Sequence, residues 1–275
     1  MCILLCTRDV PGYKLVVGSN RDEYFERPTV PAQWLDQVLM PVDMARREHG
    51  TWIGISSKGR IAILLNVREK SGKTEAGVIS RGKITADFLR SELSPLLWVK
   101  DIRRRCNDFR DMDGFSLVFG ELKTGEIYTM SNRRHGVDMV FNDRLGGAAV
   151  FGLSNSLIDA PWPKVLHGMK MMEETTAGRK FSEEDLIASV FSVMSDRNPE
   201  IHEGEGMSKH MDLTIRETVF VPRLVNDLMD PPPQDKQTYG TRTQTVILVH
   251  DDGHVVYVER NVALDSVTKF SFILE

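Results

Sequence analysis

The chain has 275 residues, of which 41% are hydrophobic and 27% are charged, and its formal net charge is -4. This composition is ordinary for a globular protein and excludes disordered and fibrous classes, while the small net charge lacks the basic field that nucleic-acid binding needs. We therefore expect one domain over residues 1–275 and no nucleic-acid partner. No apolar run approaches the roughly 18 residues of a membrane helix, so we expect a cytoplasmic chain without a transmembrane segment.

The N-terminal part of the chain predicts two antiparallel hairpins. Strands are predicted at "CILLCTR" and "YKLVVGSN", joined by a Pro11-Gly12 turn, and at "GTWIGIS" and "RIAILLNV". The continuous apolar run over 61–65 is typical of a strand buried on both faces, which requires covering helices.

The remaining elements alternate between helices and hairpins. Helical spacing of apolar residues predicts helices at "ITADFLRSEL", "LLWVKDIRRRC" and "FSEEDLIASVFSVMSD", the last with Ser182 as its N-cap. Further hairpins are predicted at "GFSLVFGELKTGEIYTMSN" and "TRTQTVILVHDDGHVVYVER", and a final strand at "TKFSFIL". Polar loops are expected over 196–212 and 227–237. Together these elements predict an α+β fold of antiparallel sheets with helices layered outside.

Cys2 is the first candidate for chemistry. If Met1 is removed, this residue carries both a thiol and a free α-amine, and an α-amine with a pKa of about 7.7–8.0 accepts a proton near neutral pH. Cys2 would then be a complete nucleophile and base. The alternative is that Cys2, Leu4 and Cys6 alternate along one strand face as small core residues.

The stretch "NRDE" at 20–23 places four polar residues directly after an apolar strand. Because the second strand of a hairpin runs back beside the first, its polar end is expected close to Cys2, with Asn20 and Asp22 on one face. Asp22 would orient the amine or the substrate, Asn20 would donate a hydrogen bond, and Arg21 would bind a carboxylate. The alternative is a solvated turn with compensating charges.

Two later stretches also set polar residues against apolar strands. Asn155 in "FGLSNS" is a neutral donor of the kind that stabilises an oxyanion, and Arg242 in "YGTRT" is a fixed positive charge suited to an acidic substrate. Each alone is also compatible with an ordinary turn or surface residue.

Metal binding is not predicted. The seven histidines form no HExxH pattern and pair with none of the three cysteines, whose unequal spacing suits reduced thiols. His250 and His254 flank a predicted turn and are interpreted as surface residues. His202 and His210 lie in one long loop and are the candidates for a haem ligand.

Six motifs connect the chain to a known family. They are "MC", "NRDE" followed by "RP", "GTWIGIS", "GLSNS" followed by "PWPK", "YGTRT", and "DDGHV" followed by "ER". Over nearly its whole length the sequence resembles the Transport and Golgi organisation two family, also called the NRDE family. The resemblance implies a fold related to the N-terminal-nucleophile hydrolases, a four-layer αββα sandwich of two antiparallel sheets between helix layers.

The resemblance also implies roles for individual residues. In the cysteine branch of those hydrolases, which includes conjugated bile-acid and penicillin amidases, an N-terminal cysteine is assisted by an Asp, by downstream Asn residues and by a late Arg. The matching catalytic positions are Cys2, Asp22, Asn155 and Arg242, and Asn20, Arg21 and Asn66 are the substrate-binding candidates. One departure is Gly18, which stands where the amidases place an Arg.

Two functional hypotheses follow from the resemblance. The first is an N-terminal cysteine amidohydrolase that acts on carbon-nitrogen bonds other than peptide bonds, taking a small-molecule amide or an acyl thioester and requiring no cofactor. The alternative is a non-catalytic carrier of haem or an acyl lipid in the same cleft. Family members are linked to Golgi organisation, protein secretion, and haem and lipid homeostasis, which implies a cytoplasmic, Golgi-associated or mitochondrial location with peripheral membrane association.

Overall fold

The computed structural model of the chain describes residues 2–69, 79–141, 149–210, 214–228 and 237–275. The predicted loop over 227–237 lies mostly outside the described residues, as does the end of the loop over 196–212. The chain forms two compact units, each built from separated segments. The first unit comprises Met1–Arg27, Ala149–Ser154 and Ala160–Ser271, and the second comprises Pro28–Ala148, Asn155–Asp159 and Phe272–Glu275.

The strands and helices are numbered here in chain order. The strands are β1 Ile3–Thr7, β2 Tyr13–Tyr24, β3 Thr29–Leu35, β4 Val38–Asp43, β5 Ile53–Ser56, β6 Arg60–Asn66, β7 Phe115–Glu121, β8 Glu126–Ser131, β9 Val137–Met139, β10 Val150–Ser154, β11 Leu224–Val225, β12 Thr238–His250, β13 His254–Asn261 and β14 Ser266–Ile273. The helices are α1 Gly82–Arg90, α2 Pro95–Arg105, α3 Pro163–Thr176, α4 Glu183–Met194, α5 Met207–His210 and α6 Thr214–Glu217. Among the described residues, none of these helices is long and apolar enough to cross a membrane.

The first unit is built on a sheet in the order β10-β1-β2-β12-β13-β14, with β11 beside β12. Strands β1 and β2 form the predicted hairpin, with Ile3 opposite Asn20. The "NRDE" stretch does not follow β2 but lies inside it, because β12 continues the pairing and places Gln244 opposite Asn20 and Thr241 opposite Asp22. A long partner strand therefore satisfies the backbone of a polar segment that the sequence alone suggests as a turn.

Helices α3 and α4 pack on the sheet of the first unit. Their core side chains meet those of the strands in one apolar cluster that includes Ile3, Val16 and Met194. Gly18 lets α4 approach closely, since a Cβ there would lie 2.9 Å from side-chain atoms of Met194 and Val190. The predicted N-cap of α4 is confirmed, because the Ser182 hydroxyl accepts a hydrogen bond from the Asp185 amide at 3.2 Å.

The second unit contains a sheet in which β3 to β9 are neighbours in sequence order. Helices α1 and α2 cover it, as the sequence predicts, and bury an aromatic cluster in which the rings of Phe88 and Trp98 have centroids 4.8 Å apart. Strands β3 and β4 and helix α3 are elements that the sequence analysis did not predict.

Candidate active site

Cys2 directly precedes β1, whose first residue, Ile3, pairs with Asn20 of β2 and with Ser154 at the end of β10. Its half-buried thiol donates to the backbone carbonyl of Asp22, with the sulfur 4.0 Å from the oxygen. The Ser154 hydroxyl donates to the carbonyl oxygen of Cys2 at 2.6 Å. Both neighbouring strands therefore hold Cys2, which fixes the position of its thiol.

Asp22 and Lys164 form a buried ion pair beside Cys2. The Lys164 ammonium lies 3.6 Å from Asp22 Oδ2, and both side chains are 0% exposed. The Thr241 hydroxyl donates to Asp22 Oδ1 at 2.7 Å, and the Tyr239 hydroxyl donates to the Asp22 carbonyl at 3.2 Å. The carboxylate is thus fixed from two sides by contacts from α3 and β12.

The electrostatics of this group centre on the thiol and the ammonium. Burial raises the pKa of the Cys2 thiol, the negative charge of Asp22 raises it further, and the Arg21 guanidinium opposes the rise. Burial lowers the pKa of Lys164, and the charge of Asp22 opposes that change. Burial therefore disfavours the charged form of both groups, and for Lys164 the charge of Asp22 opposes this effect.

Lys164 is the site residue that sequence reasoning missed. It occupies the first turn of α3, after Trp162 and Pro163 in the "PWPK" motif. A cation is unfavourable at a helix N-terminus because the dipole is positive there. A fully buried lysine at such a position needs a partner anion. The lysine at the helix start in "PWPK" was therefore the sequence signal for a further charged residue in the site.

Asn20 is completely buried and contacts protein through both amide atoms. Its Nδ2 donates to the carbonyls of Met194 at 2.7 Å and Val219 at 3.0 Å, and its Oδ1 accepts from Gln244 Nε2 at 3.2 Å. These bonds tie β2 to the end of α4. The predicted role of Asn20 in substrate binding stays a prediction.

Arg21 and Glu23 project together and form an ion pair of 3.6 Å, and Glu23 also lies 3.6 Å from Arg27. Each of these three charges thus has a partner of opposite sign within the first unit. The effect of Arg21 on the Cys2 thiol places its charge within electrostatic range of the site.

Arg242 lies at an irregularity in β12, where the pairing with β2 shifts between Thr241 and Thr243. It is 9% exposed, and its guanidinium donates to the carbonyls of Arg27 and, at 3.5 Å, Tyr24. These contacts fasten the end of β2. The predicted contact of Arg242 with an acidic substrate stays a prediction.

Asn155 and Asn66 belong to the second unit and contact each other. Asn155 Nδ2 donates to the carbonyl of Asn66 at 2.6 Å, and the Asn155 carbonyl accepts from the Arg68 amide at 2.9 Å. Asn155 is buried, whereas Asn66 is exposed at the end of β6. The structure thus groups Cys2 with Asp22 and Lys164, and Asn155 with Asn66.

Comparison with solved structures identifies the fold class. An N-acylethanolamine-hydrolyzing acid amidase ortholog of Caenorhabditis elegans superposes with a TM-score of 0.51 at 10% sequence identity, covering 90% of this chain and 92% of that chain. This likeness confirms the α+β class and the N-terminal-nucleophile hydrolase fold that the sequence predicts.

Comparison of sequences then gives the family. Residues 1–263 match the family described as Transport and Golgi organisation 2, and the chain belongs to this family. The Transport and Golgi organization protein 2 homolog of Bos taurus is 28% identical over 271 residues, covering 94% of this chain and 90% of the relative. The human homolog is 28% identical over 269 residues, covering 91% of this chain and 87% of the relative.

Proposed function

We propose that Cys2, exposed by removal of Met1, is the nucleophile of an N-terminal cysteine hydrolase that cleaves a small-molecule amide or an acyl thioester. The observation that supports this most is the half-buried Cys2 thiol beside the fully buried Asp22–Lys164 ion pair. A buried ion pair adds little net stability to a fold, and perturbed titratable groups cluster at functional sites, so this pair favours a functional role.

The reaction proceeds in two steps. The α-amine of Cys2 takes the thiol proton, the sulfur attacks the carbonyl carbon, and a carbon-sulfur bond forms. The tetrahedral oxyanion then collapses, the carbon-nitrogen bond of an amide or the carbon-sulfur bond of a thioester breaks, and the leaving group receives the proton from the α-ammonium. Water attacks the acyl-enzyme, which releases a carboxylic acid and restores the thiol. The thiol and α-amine of Cys2 and a water molecule supply the groups that these steps need, so the proposed reaction requires no cofactor.

Asp22 and Lys164 act on this reaction through position and charge. Thr241 and Lys164 hold the Asp22 carboxylate, and the Asp22 carbonyl holds the thiol, so the nucleophile is fixed before substrate arrives. A protonated Lys164 stabilises the thiolate, because the two groups interact electrostatically.

An acyl group is the substrate portion that we propose. The C. elegans protein with this fold is named for hydrolysing N-acylethanolamine. Its structural similarity to this chain supports a shared fold. We propose that this chain also acts on an acyl group. A panel of acyl amides and acyl thioesters of increasing chain length is the corresponding substrate set.

The test is the intact mass of the natively expressed protein before and during incubation with that panel. We expect loss of Met1 and a transient acyl adduct that Cys2→Ala abolishes and Cys106→Ala leaves intact. Cys106 is the matched control because it is the other half-buried thiol. Retention of Met1 would contradict the enzyme hypothesis and favour the non-catalytic carrier of haem or an acyl lipid.

We also propose that the chain acts in intracellular trafficking, because its relatives are named for transport and Golgi organisation. Its predicted site of action is the cytoplasm, with peripheral association with Golgi or mitochondrial membranes. In cells that lack the endogenous relative, expression of this chain is expected to restore Golgi morphology and secretion. Rescue by wild type and not by Cys2→Ala would connect trafficking with the thiol, whereas absence of rescue by wild type would contradict the trafficking role.

A further inference from the structure

A second group of chemically active side chains lies in the first unit and has no part in the Cys2 reaction. It consists of Glu183, His250 and His254, which we call the His-Glu cluster. One ligand-type atom from each residue lies within 4.8 Å of the other two. All three side chains are half-buried rather than fully exposed.

The fold brings these residues together from two separate places in the chain. His250 ends β12 and His254 begins β13, and the tight turn between them, with Gly253 at φ +89°, brings their ring centroids to 4.9 Å. Glu183 is the first residue of α4, directly after the Ser182 cap. Glu183 is far from the two histidines in the sequence, so the three residues form no linear motif. For this reason the sequence alone suggests that the histidines are unrelated surface residues.

The distances suit a small metal ion. Glu183 Oε2 lies 3.5 Å from His250 Nε2, and two ligands at tetrahedral angles around Zn²⁺ are about 3.3 Å apart given its usual bond lengths. Among the described residues, the buried Nε2 of His250 has no hydrogen-bond partner. A buried ring nitrogen that makes no hydrogen bond, and only an ion pair of 3.5 Å, indicates that this space takes a ligand.

Neighbouring groups hold the ligands in orientation. The Tyr13 ring packs on His250 with centroids 4.3 Å apart, and the Ser271 hydroxyl lies 2.6 Å from His254 Nε2. Lys269 donates to Glu183 Oε1 at 2.8 Å, which leaves Oε2 directed at His250. Such supporting contacts are typical of metal centres, where a second layer fixes the rings and the carboxylate.

We propose that the His-Glu cluster is a binding site for a divalent transition-metal ion of the Zn²⁺ type. Two imidazoles and one carboxylate are the nitrogen and oxygen donors that such ions prefer, and three protein ligands leave one position for water. The ion would join the start of α4 to the β12–β13 hairpin. Lys269 would repel it, since the ammonium binds the other oxygen of the same carboxylate.

Cobalt is the probe that distinguishes this site from the thiols. Chelator-treated full-length protein carrying Cys2→Ala is titrated with Co²⁺, followed by competition with Zn²⁺. We expect one ion per chain, with ligand-field absorption and without the charge-transfer band of thiolate ligation. A thiolate band, or no binding, would overturn the proposal.

Variants test the ligand set. His250→Ala, His254→Ala and Glu183→Gln are each expected to weaken Zn²⁺ binding by more than about tenfold, whereas His135→Ala, which removes an exposed histidine outside the cluster, leaves it unchanged. Lys269→Gln keeps an N–H donor for Glu183 Oε1 but removes the ammonium charge, so it is expected to tighten binding. Unchanged affinity there would place the ion away from Glu183 and contradict the ligand set. Metal-free thermal unfolding identifies any variant that has lost its fold.

Saturating Zn²⁺ is expected to raise the melting temperature of the wild type and not that of Glu183→Gln, which preserves side-chain shape.

Discussion

At the residue scale, the buried ion pair of Asp22 and Lys164 is the main evidence for the candidate site. Two opposite charges with 0% exposed side chains lose their hydration, and their attraction offsets that loss only while both are present. An apolar pair of similar size would fill the same space without the free-energy cost of removing two charges from water. The ion pair is therefore better evidence for a function than for a contribution to stability.

A double-mutant cycle tests the coupling of this pair. Asp22→Asn and Lys164→Met are each expected to lower the free energy of unfolding by about 3–5 kcal/mol, because each leaves one buried charge without its partner. The double variant is expected to be more stable than either single variant, as measured by urea unfolding. A double variant that loses the sum of the two single effects would show that the charges do not interact.

The lowered pKa of Lys164 predicts a pH dependence of stability. Burial is its main cause, so between the lowered value and the ordinary value of about 10.4 the unfolded chain binds more protons than the folded chain. The free energy of unfolding therefore rises with pH across this window. The rise is expected to be steeper in wild type than in the Asp22→Asn, Lys164→Met double variant, and equal slopes would contradict the assignment.

Thiol reactivity gives a third prediction at this scale. In protein that has lost Met1, iodoacetamide is expected to label Cys2 before Cys6 and Cys106. Burial raises the pKa of all three thiols, that of Cys6 to about 12, but the α-amine of Cys2 lies on the same residue and can take its thiol proton. Asp22→Asn removes the partner that holds Lys164 beside the thiol, and this loss is expected to outweigh the loss of a negative charge that raises the pKa of Cys2. It should therefore slow labelling of Cys2 more than Glu23→Gln does, since Glu23 pairs with Arg21 and Arg27 rather than with the site. Labelling is measured by peptide mass spectrometry. Equal slowing by both variants, or fastest labelling at Cys106, would make "NRDE" a structural segment only.

At the scale of elements, α3 is the helix that completes the site, and glycine is what lets it approach. A Cβ on Gly152 in β10 would lie 2.8 Å from Val165 Cγ1 and from Met169 Cγ, and both of these residues belong to α3. The absence of a side chain at Gly152 therefore sets the distance between α3 and the strand beside Cys2, and with it the position of Lys164.

Gly152→Ala tests this packing. The added methyl group is expected to displace α3, lower the free energy of unfolding by about 1–3 kcal/mol and slow labelling of Cys2. Adding Val165→Ala removes the opposing methyl groups and should restore the labelling rate at least in part. If Gly152→Ala changes neither stability nor labelling, the position of α3 does not depend on this contact.

The same elements show what could be predicted from the sequence. Hairpins with clear turn residues, such as β1–β2 and β12–β13, follow from local alternation and glycine turns, and α4 follows from its cap and apolar spacing. Helix α3 was missed because its apolar side chains do not form one clean face: Val165 is buried while Leu166 is 58% exposed. Strand β3 contains Pro31 and alternates only partly in burial, so its local pattern is weak as well.

For the whole molecule, the proximity of Cys2 to Asp22 was predictable because a single hairpin brings them together. The position of Lys164 beside Asp22 was not predictable, since this contact joins residues that are far apart in the sequence. The His-Glu cluster was not predictable for the same reason. Local pattern thus identifies a site held by one hairpin and fails for one assembled from separate elements.

Intact mass of the natively expressed chain, with and without an acyl thioester, tests most directly whether Cys2 is an N-terminal nucleophile. We expect a mass lower than that of the full sequence by one methionine residue, and an acyl adduct that maps to Cys2 and disappears with Cys2→Ala. A native chain that keeps Met1, or an adduct that persists in Cys2→Ala, would contradict the proposal that Cys2 is an N-terminal nucleophile.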